Sequence, residues 1–192
     1  MNQNVYLIKM AKKTQLETKD KSYTKYLIML IVLTVVIISI THVLRISREG
    51  NILMGTESFL QYDLSQNIID SGYDISIFEF GRNGYNPYNI LLAIVGDLIG
   101  LSLASKLLPL MFGLLTVVIA YLLLVKYKIP QTTAFAIIAI LVISPSFIYT
   151  TATSNVYVML LFLNLFLIFL ISKSQIIYRY LAIPVALLIF LF

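Results

Sequence analysis

Residues 26–44 read Y-L-I-M-L-I-V-L-T-V-V-I-I-S-I-T-H-V-L, nineteen positions without a formal charge. At about 1.5 Å per helical residue, such a run matches the ~30 Å hydrocarbon core of a bilayer. It exceeds the roughly 7–15-residue apolar region of a cleaved signal peptide, and no A-x-A site follows it. A retained membrane-spanning anchor is therefore expected. Upstream lie Lys9, Lys12, Lys13, Lys19, Lys21 and Lys25. A basic tail beside a span marks its cytoplasmic side and is drawn to anionic lipid. The chain thus divides into a basic cytoplasmic tail, 1–25, and a membrane domain, 26–192. The net charge of +5 sits largely in that tail. No nucleic-acid-binding motif accompanies it, so no nucleic-acid partner is expected.

The remaining composition agrees. Hydrophobic residues make up 59% and charged residues 12%, with a mean hydropathy of +0.91. Soluble domains sit near ~45–50% apolar and ~25% charged. With no cysteine, disulfides and thiolate metal sites are excluded. The lone histidine, His42, cannot build a histidine cluster. P-loop, dinucleotide-binding, H-E-x-x-H and Ser/His/Asp patterns are all missing from the sequence. Further apolar runs predict spans over 106–125, 132–143 and 156–171, with an uncharged Ser/Thr/Asn loop over 146–155. Another run begins at 180 and reaches Phe192 short of the ~20 residues a span needs. The native chain is expected to continue, making this its N-terminal part.

Between the first span and the rest lies a polar stretch, G-T-E-S-F-L-Q-Y-D-L-S-Q-N-I-I-D-S-G-Y at 55–73, continuing to G-Y-N-P-Y at 84–88. It holds Glu57, Asp63, Asp70, Asp74 and Glu79, five of the nine acidic residues. A helix is expected over 57–70, capped by Gly55 or Thr56. On a helical wheel Asp63, Gln66, Asn67 and Asp70 share one arc. Leu60, Leu64 and Ile68 lie opposite, with Glu57, Gln61 and Ser65 on that same apolar side. Asn86-Pro87 opens a second helix, apolar but carrying Asp97. Its Gly96, Gly100 and Ala104 form a small-residue ladder suited to close approach of another helix. With 88–103 as a surface helix, ten Lys/Arg fall inside and four (Arg45, Arg48, Arg82, Lys106) outside, as the positive-inside rule asks. With 88–103 as a full span, the later basic turns would move outside. The expected fold is an all-α polytopic membrane protein. It has about five transmembrane helices, and two short helices in an outer acidic segment, 45–104.

A carboxylate on such a loop can take a proton from an acceptor hydroxyl or ligate a hard cation through oxygen. Arg45, Arg48 and Arg82 suit a phosphate, because guanidinium pairs with its oxygens in bidentate fashion. The order of G-T-E-S-F at 55–59, N-P-Y-N at 86–89, K-L-L-P-L-M-F-G-L-L-T-V at 106–117 and S-P-S-F-I-Y at 144–149 resembles the GT-C superfamily of membrane glycosyltransferases. That superfamily includes protein O-mannosyltransferases, the aminoarabinose transferase of lipid A and the catalytic subunit of oligosaccharyltransferase. The resemblance implies a GT-C-like fold and transfer of a sugar from a polyprenyl-phosphate-linked donor to a protein or lipid acceptor on the outer membrane face. It implies Glu57 as catalytic base, or as ligand to a divalent cation (Mg or Mn). Arg82, Asn86 and Tyr88 are the candidate substrate-binding residues. The residues also admit plainer roles: Glu57 as a helix-start acid favoured by the dipole, Asn86 and Tyr88 as shapers of the loop. The alternative function is a non-catalytic membrane protein. That would be an inactive truncated paralogue, or a scaffold or transporter in a lipid-linked glycan pathway. The expected location is the cell membrane, or the endoplasmic reticulum in a eukaryote, with the N-terminus cytoplasmic.

Overall fold

The computed structural model describes residues 23–44, 47, 55–73, 86–173 and 175–192. Among the described residues the secondary structure is entirely helical. In order the helices are α1 (Tyr23–Leu44), α2 (Gly55–Asp70), α3 (Pro87–Ile99), α4 (Leu101–Lys126), α5 (Gln131–Ile143), α6 (Pro145–Ala152), α7 (Val156–Ile171) and α8 (Ile176–Phe190). Two of them, α1 and α4, are long and apolar enough to cross a membrane. The α5–α6 pair, bent by 64°, adds a third if counted as one broken span. Helices α3, α7 and α8 are apolar but shorter.

Helix α4 is the axis of the fold, with one apolar cluster on each side. On one side Val117, Ala120 and Tyr121 of α4 meet Leu30 of α1, Ala134 and Ile138 of α5 and Phe147 of α6. The rings of Tyr23 and Tyr121 lie 5.5 Å apart, as do those of Tyr26 and Phe135, which seats the start of α1 beside the end of α4. On the other side Leu101, Leu108 and Phe112 meet Tyr88 and Leu92 of α3 and Val158 and Leu163 of α7. Helix α8 rides on α7. Its outward face leaves Ile176 and Phe190 exposed at 68% and 88%, an apolar exterior that a water-facing helix rarely presents.

Two local features depart from the sequence expectation. Helix α3 stops at Ile99 and the long helix α4 begins at Leu101, earlier than the 106 expected. Gly100, at φ +91, makes the break in a backbone region open to glycine. A side chain at Gly96 would place its Cβ 2.5 Å from the Leu101 side chain and 3.1 Å from its Cα. Small residues here let the chain fold back on itself; Gly96 is covered by its own neighbour Leu101. Second, residues 145–152 form a helix where a loop is expected. Ser144 accepts a hydrogen bond from the Phe147 amide (3.3 Å) and Pro145 occupies the first turn, a combination that starts helices. Helix α6 sits tightly on α4 because Gly113 has no side chain: a Cβ there would lie 2.6 Å from the Thr151 methyl.

The two ends of the bundle differ in charge. Helix α1 starts, α4 ends, α5 starts, α7 ends and α8 starts at one end, which carries Lys25, Lys126, Lys128, Lys173 and Arg179. The four described carboxylates, Glu57, Asp63, Asp70 and Asp97, all lie on α2 and α3 at the opposite end.

Candidate functional site: the first turn of α2

Helix α2 opens at Gly55, whose φ of +74 lies in the left-handed region. Its open side faces Tyr149 of α6: a Cβ at Gly55 would stand 3.3 Å from the tyrosine hydroxyl. One turn on, Ser58 is buried, and its Oγ accepts the backbone N–H of Ser154 at 2.9 Å. Ser154 belongs to the short link between α6 and α7. Its own hydroxyl lies 2.8 Å from the Tyr88 hydroxyl at the start of α3. Farther along α2, the buried Ser65 hydroxyl stands 2.8 Å from the Gln61 carbonyl and 3.1 Å from the Asn89 carbonyl. In the link, Asn155 Nδ2 donates to Thr153 Oγ1 at 2.6 Å, and Asn155 Oδ1 caps α7 by accepting from Tyr157 and Val158 amides. The end of the bundle opposite the basic one is thus held by a buried polar seam. Buried polar groups need partners, and α2, α3 and the α6–α7 link supply them to one another. Gln61 Oε1 is buried in this seam with no partner among the described residues.

Helix α2 turns the expected arc to solvent, but Leu60 belongs to that arc rather than opposite it, about 20° from Asn67 on the wheel. Asp63, Asn67 and Asp70 are exposed, and Gln61, Ser65 and Ile68 are buried, as read from the wheel. Leu60 is 53% exposed and Phe59 41%, while Ser58 takes the buried position. Hydrogen-bonding partners on α3 and the link make the polar face the better one to bury.

The sequence-derived site residues divide as follows. Glu57 is half-buried on the first turn, directly before Ser58. It stands at the positive end of the helix dipole, where an acidic side chain favours the helix start. Asn86 caps α3, its Oδ1 accepting from the amides of Tyr88 (3.0 Å) and Asn89 (3.1 Å). Tyr88 is fully buried. Burial pushes its phenol above the ordinary range, and the Ser154 hydrogen bond partly opposes this. Arg82 lies outside the described residues, as do Arg45, Arg48, Asp74 and Glu79. Asp97 is exposed on α3. Nearby, the Tyr73 hydroxyl donates to the Ala93 carbonyl at 3.4 Å, strapping the end of α2 onto α3. Among the described residues no three His, Asp or Glu side chains gather as a cation site.

Ser58, Tyr149 and Ser154 were not singled out from the sequence as site residues. Ser58 stood next to Glu57 in the quoted motif, and Ser154 beside the capping Asn155, but neither position has a periodic signal. Beside the seam, α3, α7 and α8 enclose an apolar recess of about 350 Å³, walled by Pro87, Ile90, Leu91, Ile94, Met159, Leu188 and Leu191. Compared with protein-family models, curated proteins and solved structures, the chain matches none.

Proposed function

We propose that the chain is an integral membrane protein with five membrane-embedded elements (α1, α4, the bent α5–α6 pair, α7 and α8) and that the first turn of α2 is the active site of a GT-C-like glycosyltransferase on the outer face. The observation that carries this reading is the meeting of three distant stretches. Ser58 of G-T-E-S-F and Tyr88 of N-P-Y-N both hydrogen bond Ser154, and Gly55 abuts Tyr149 of S-P-S-F-I-Y. These are the stretches on which the resemblance rests. The separation of charge between the two ends supports the orientation, basic end cytoplasmic. The apolar recess at Pro87 supports a lipid-borne substrate.

In this reading the Glu57 carboxylate takes the proton of an acceptor hydroxyl or amide. The acceptor oxygen or nitrogen forms a bond to the anomeric carbon of the donor sugar. The bond from that carbon to the phosphate oxygen breaks, and polyprenyl phosphate leaves with the electron pair. Ser58, Tyr88 and Asn86 position the turn and the helix beside it. Arg82 pairs with the donor phosphate. Glu57 is the one described carboxylate at the first turn; with oxygens of the donor phosphate it would supply ligands for a divalent cation (Mg or Mn), whose charge would stabilise the leaving phosphate.

The second reading, a non-catalytic membrane protein, is favoured by a separate observation: Asn86 and Tyr88 are both engaged in holding α3. Glu57→Gln separates the two. The reconstituted protein is incubated with synthetic polyprenyl-phosphate sugars, and released polyprenyl phosphate is measured. A general base contributes about 10²–10⁴-fold, so the enzyme reading expects a loss of that size with unfolding unchanged. No turnover by the unaltered protein with any donor, or equal turnover by Glu57→Gln, favours the non-catalytic reading.

A further inference from the structure

At the basic end, α4 finishes in a six-residue capping arrangement. The Lys128 amide donates to the Val125 carbonyl (3.0 Å) and the Ile129 amide to the Leu124 carbonyl (3.1 Å). This places residue 128 in the left-handed region, at φ +64. Glycine is the usual occupant of that position, because a Cβ there is sterically penalised. Here it is a lysine, exposed to solvent. A cation retained where glycine is the easier choice points to use of the charge.

The turn after α4 does not stand alone. Lys126 Nζ donates to the Ser172 carbonyl, at the end of α7, and to Ser172 Oγ at 2.6 Å. This ties the α4–α5 turn to the α7–α8 turn, which carries Lys173 and leads into Arg179 on the first turn of α8. Lys173 lies over the rings of Phe169 (4.7 Å) and Tyr178 (5.9 Å). Both fixed lysines thus rest on neutral groups. No described carboxylate lies at this end to neutralise its cations, because all of the described carboxylates lie on α2 and α3. Tyr127 and Tyr180, exposed at 62% and 66%, flank the cations with rings of the kind that sit at headgroup depth.

We infer that this end is a binding surface for the phosphate of anionic phospholipid headgroups, with Lys128 and Arg179 as the contacting cations and Lys126 and Lys173 as the struts that bring their turns together. The inference rests on the membrane reading above and is independent of the glycosyltransferase reading. Cations at the ends of apolar helices, with no described carboxylate beside them, meet a lipid surface at the depth where its phosphates lie.

The probe is phosphatidylglycerol against phosphatidylcholine, with lipid retained by the detergent-solubilised full chain read by native mass spectrometry. The full chain prefers phosphatidylglycerol. Lys128→Gln with Arg179→Gln weakens that preference about tenfold or more, given the attraction each surface cation supplies. Lys106→Gln, on the first turns of α4 at the opposite end, leaves it unchanged. Equal retention of the two lipids, or an unchanged preference in the double variant, overturns the inference. Release of the chain from membranes by alkaline extraction without detergent sinks the membrane reading itself, and this surface with it. A chain that resists extraction but does not discriminate the lipids sinks only the surface.

Discussion

The Tyr88 and Ser154 hydroxyls stand 2.8 Å apart in a fully buried setting, 66 residues apart in the chain. Through its amide, Ser154 also holds Ser58 of α2. One serine in a short link therefore fixes the starts of two helices, and the orientation of the turn bearing Glu57 follows from it.

Tyr88→Phe keeps the ring in its apolar cluster and removes the hydroxyl. The Ser154 hydroxyl then loses its buried partner, which costs about 1–3 kcal/mol. Adding Ser154→Ala recovers part of this, because both polar groups are gone. Urea titration in micelles measures the difference. A pH series adds an independent readout. Burial holds the Tyr88 phenol above its ordinary value of 10.0, so on alkalinisation the unfolded chain releases that proton first. Its share of stability is complete below that ordinary value and is lost as pH rises above it. Tyr88→Phe makes the alkaline decline shallower; an identical slope in the two proteins contradicts the burial of the phenol.

Asn86 accepts two amide hydrogen bonds at the first turn of α3. Asn86→Ala leaves both amides without that acceptor and lowers stability by about 0.5–2 kcal/mol, whereas Asn86→Asp retains the acceptor and most of the stability. If Asn86→Ala altered turnover but not unfolding, the residue would belong to the substrate rather than to the helix.

Gly113→Ala tests the seat of α6. Alanine favours a helix over glycine by about 1 kcal/mol. Its Cβ would stand 2.6 Å from Cγ2 and 3.2 Å from Cβ of Thr151, and overpacking of this kind costs about 1–3 kcal/mol. The net change is a loss. Thr151→Ser removes the methyl and keeps the 2.7 Å hydrogen bond to the Phe147 carbonyl. The double variant should therefore be more stable than Gly113→Ala alone, a coupling read from a mutant cycle. Additive effects would show that α6 does not rest on Gly113.

Much of the helical order was legible because long apolar runs have few alternatives: α1, α4 and α7 follow directly from 26–44, 106–125 and 156–171. Helix α6 was not, because Ser144-Pro145 after an apolar run reads equally as a stop and as a start. The capping geometry decides between them. The buried face of α2 was legible only in part. Its polar and apolar residues are nearly evenly spread around the helix, so orientation depends on partners 24 and 96 positions away, Asn89 and Ser154. Hydrophobic periodicity carries no information about such partners. The small-residue ladder does not form, because Gly100 breaks the helix between Gly96 and Ala104, and Gly96 receives the chain's own turn at Leu101 instead of another helix.

Ser58 and Glu57 are neighbours with separable roles. Ser58→Ala removes the acceptor of the buried Ser154 amide and costs about 1–3 kcal/mol of stability. Because it loosens the first turn of α2, it also lowers turnover on the enzyme reading, through misplacement of the carboxylate. Glu57→Gln is nearly isosteric and leaves the seam intact, so it lowers turnover by about 10²–10⁴-fold with little change in unfolding. Their pH profiles differ as well. Ser58→Ala keeps the acid limb that a carboxylate base produces, at a lower plateau, while the residual rate of Glu57→Gln no longer follows that limb. An acid limb unchanged in Glu57→Gln would assign the base to another residue and leave Glu57 as the acid that favours the helix start.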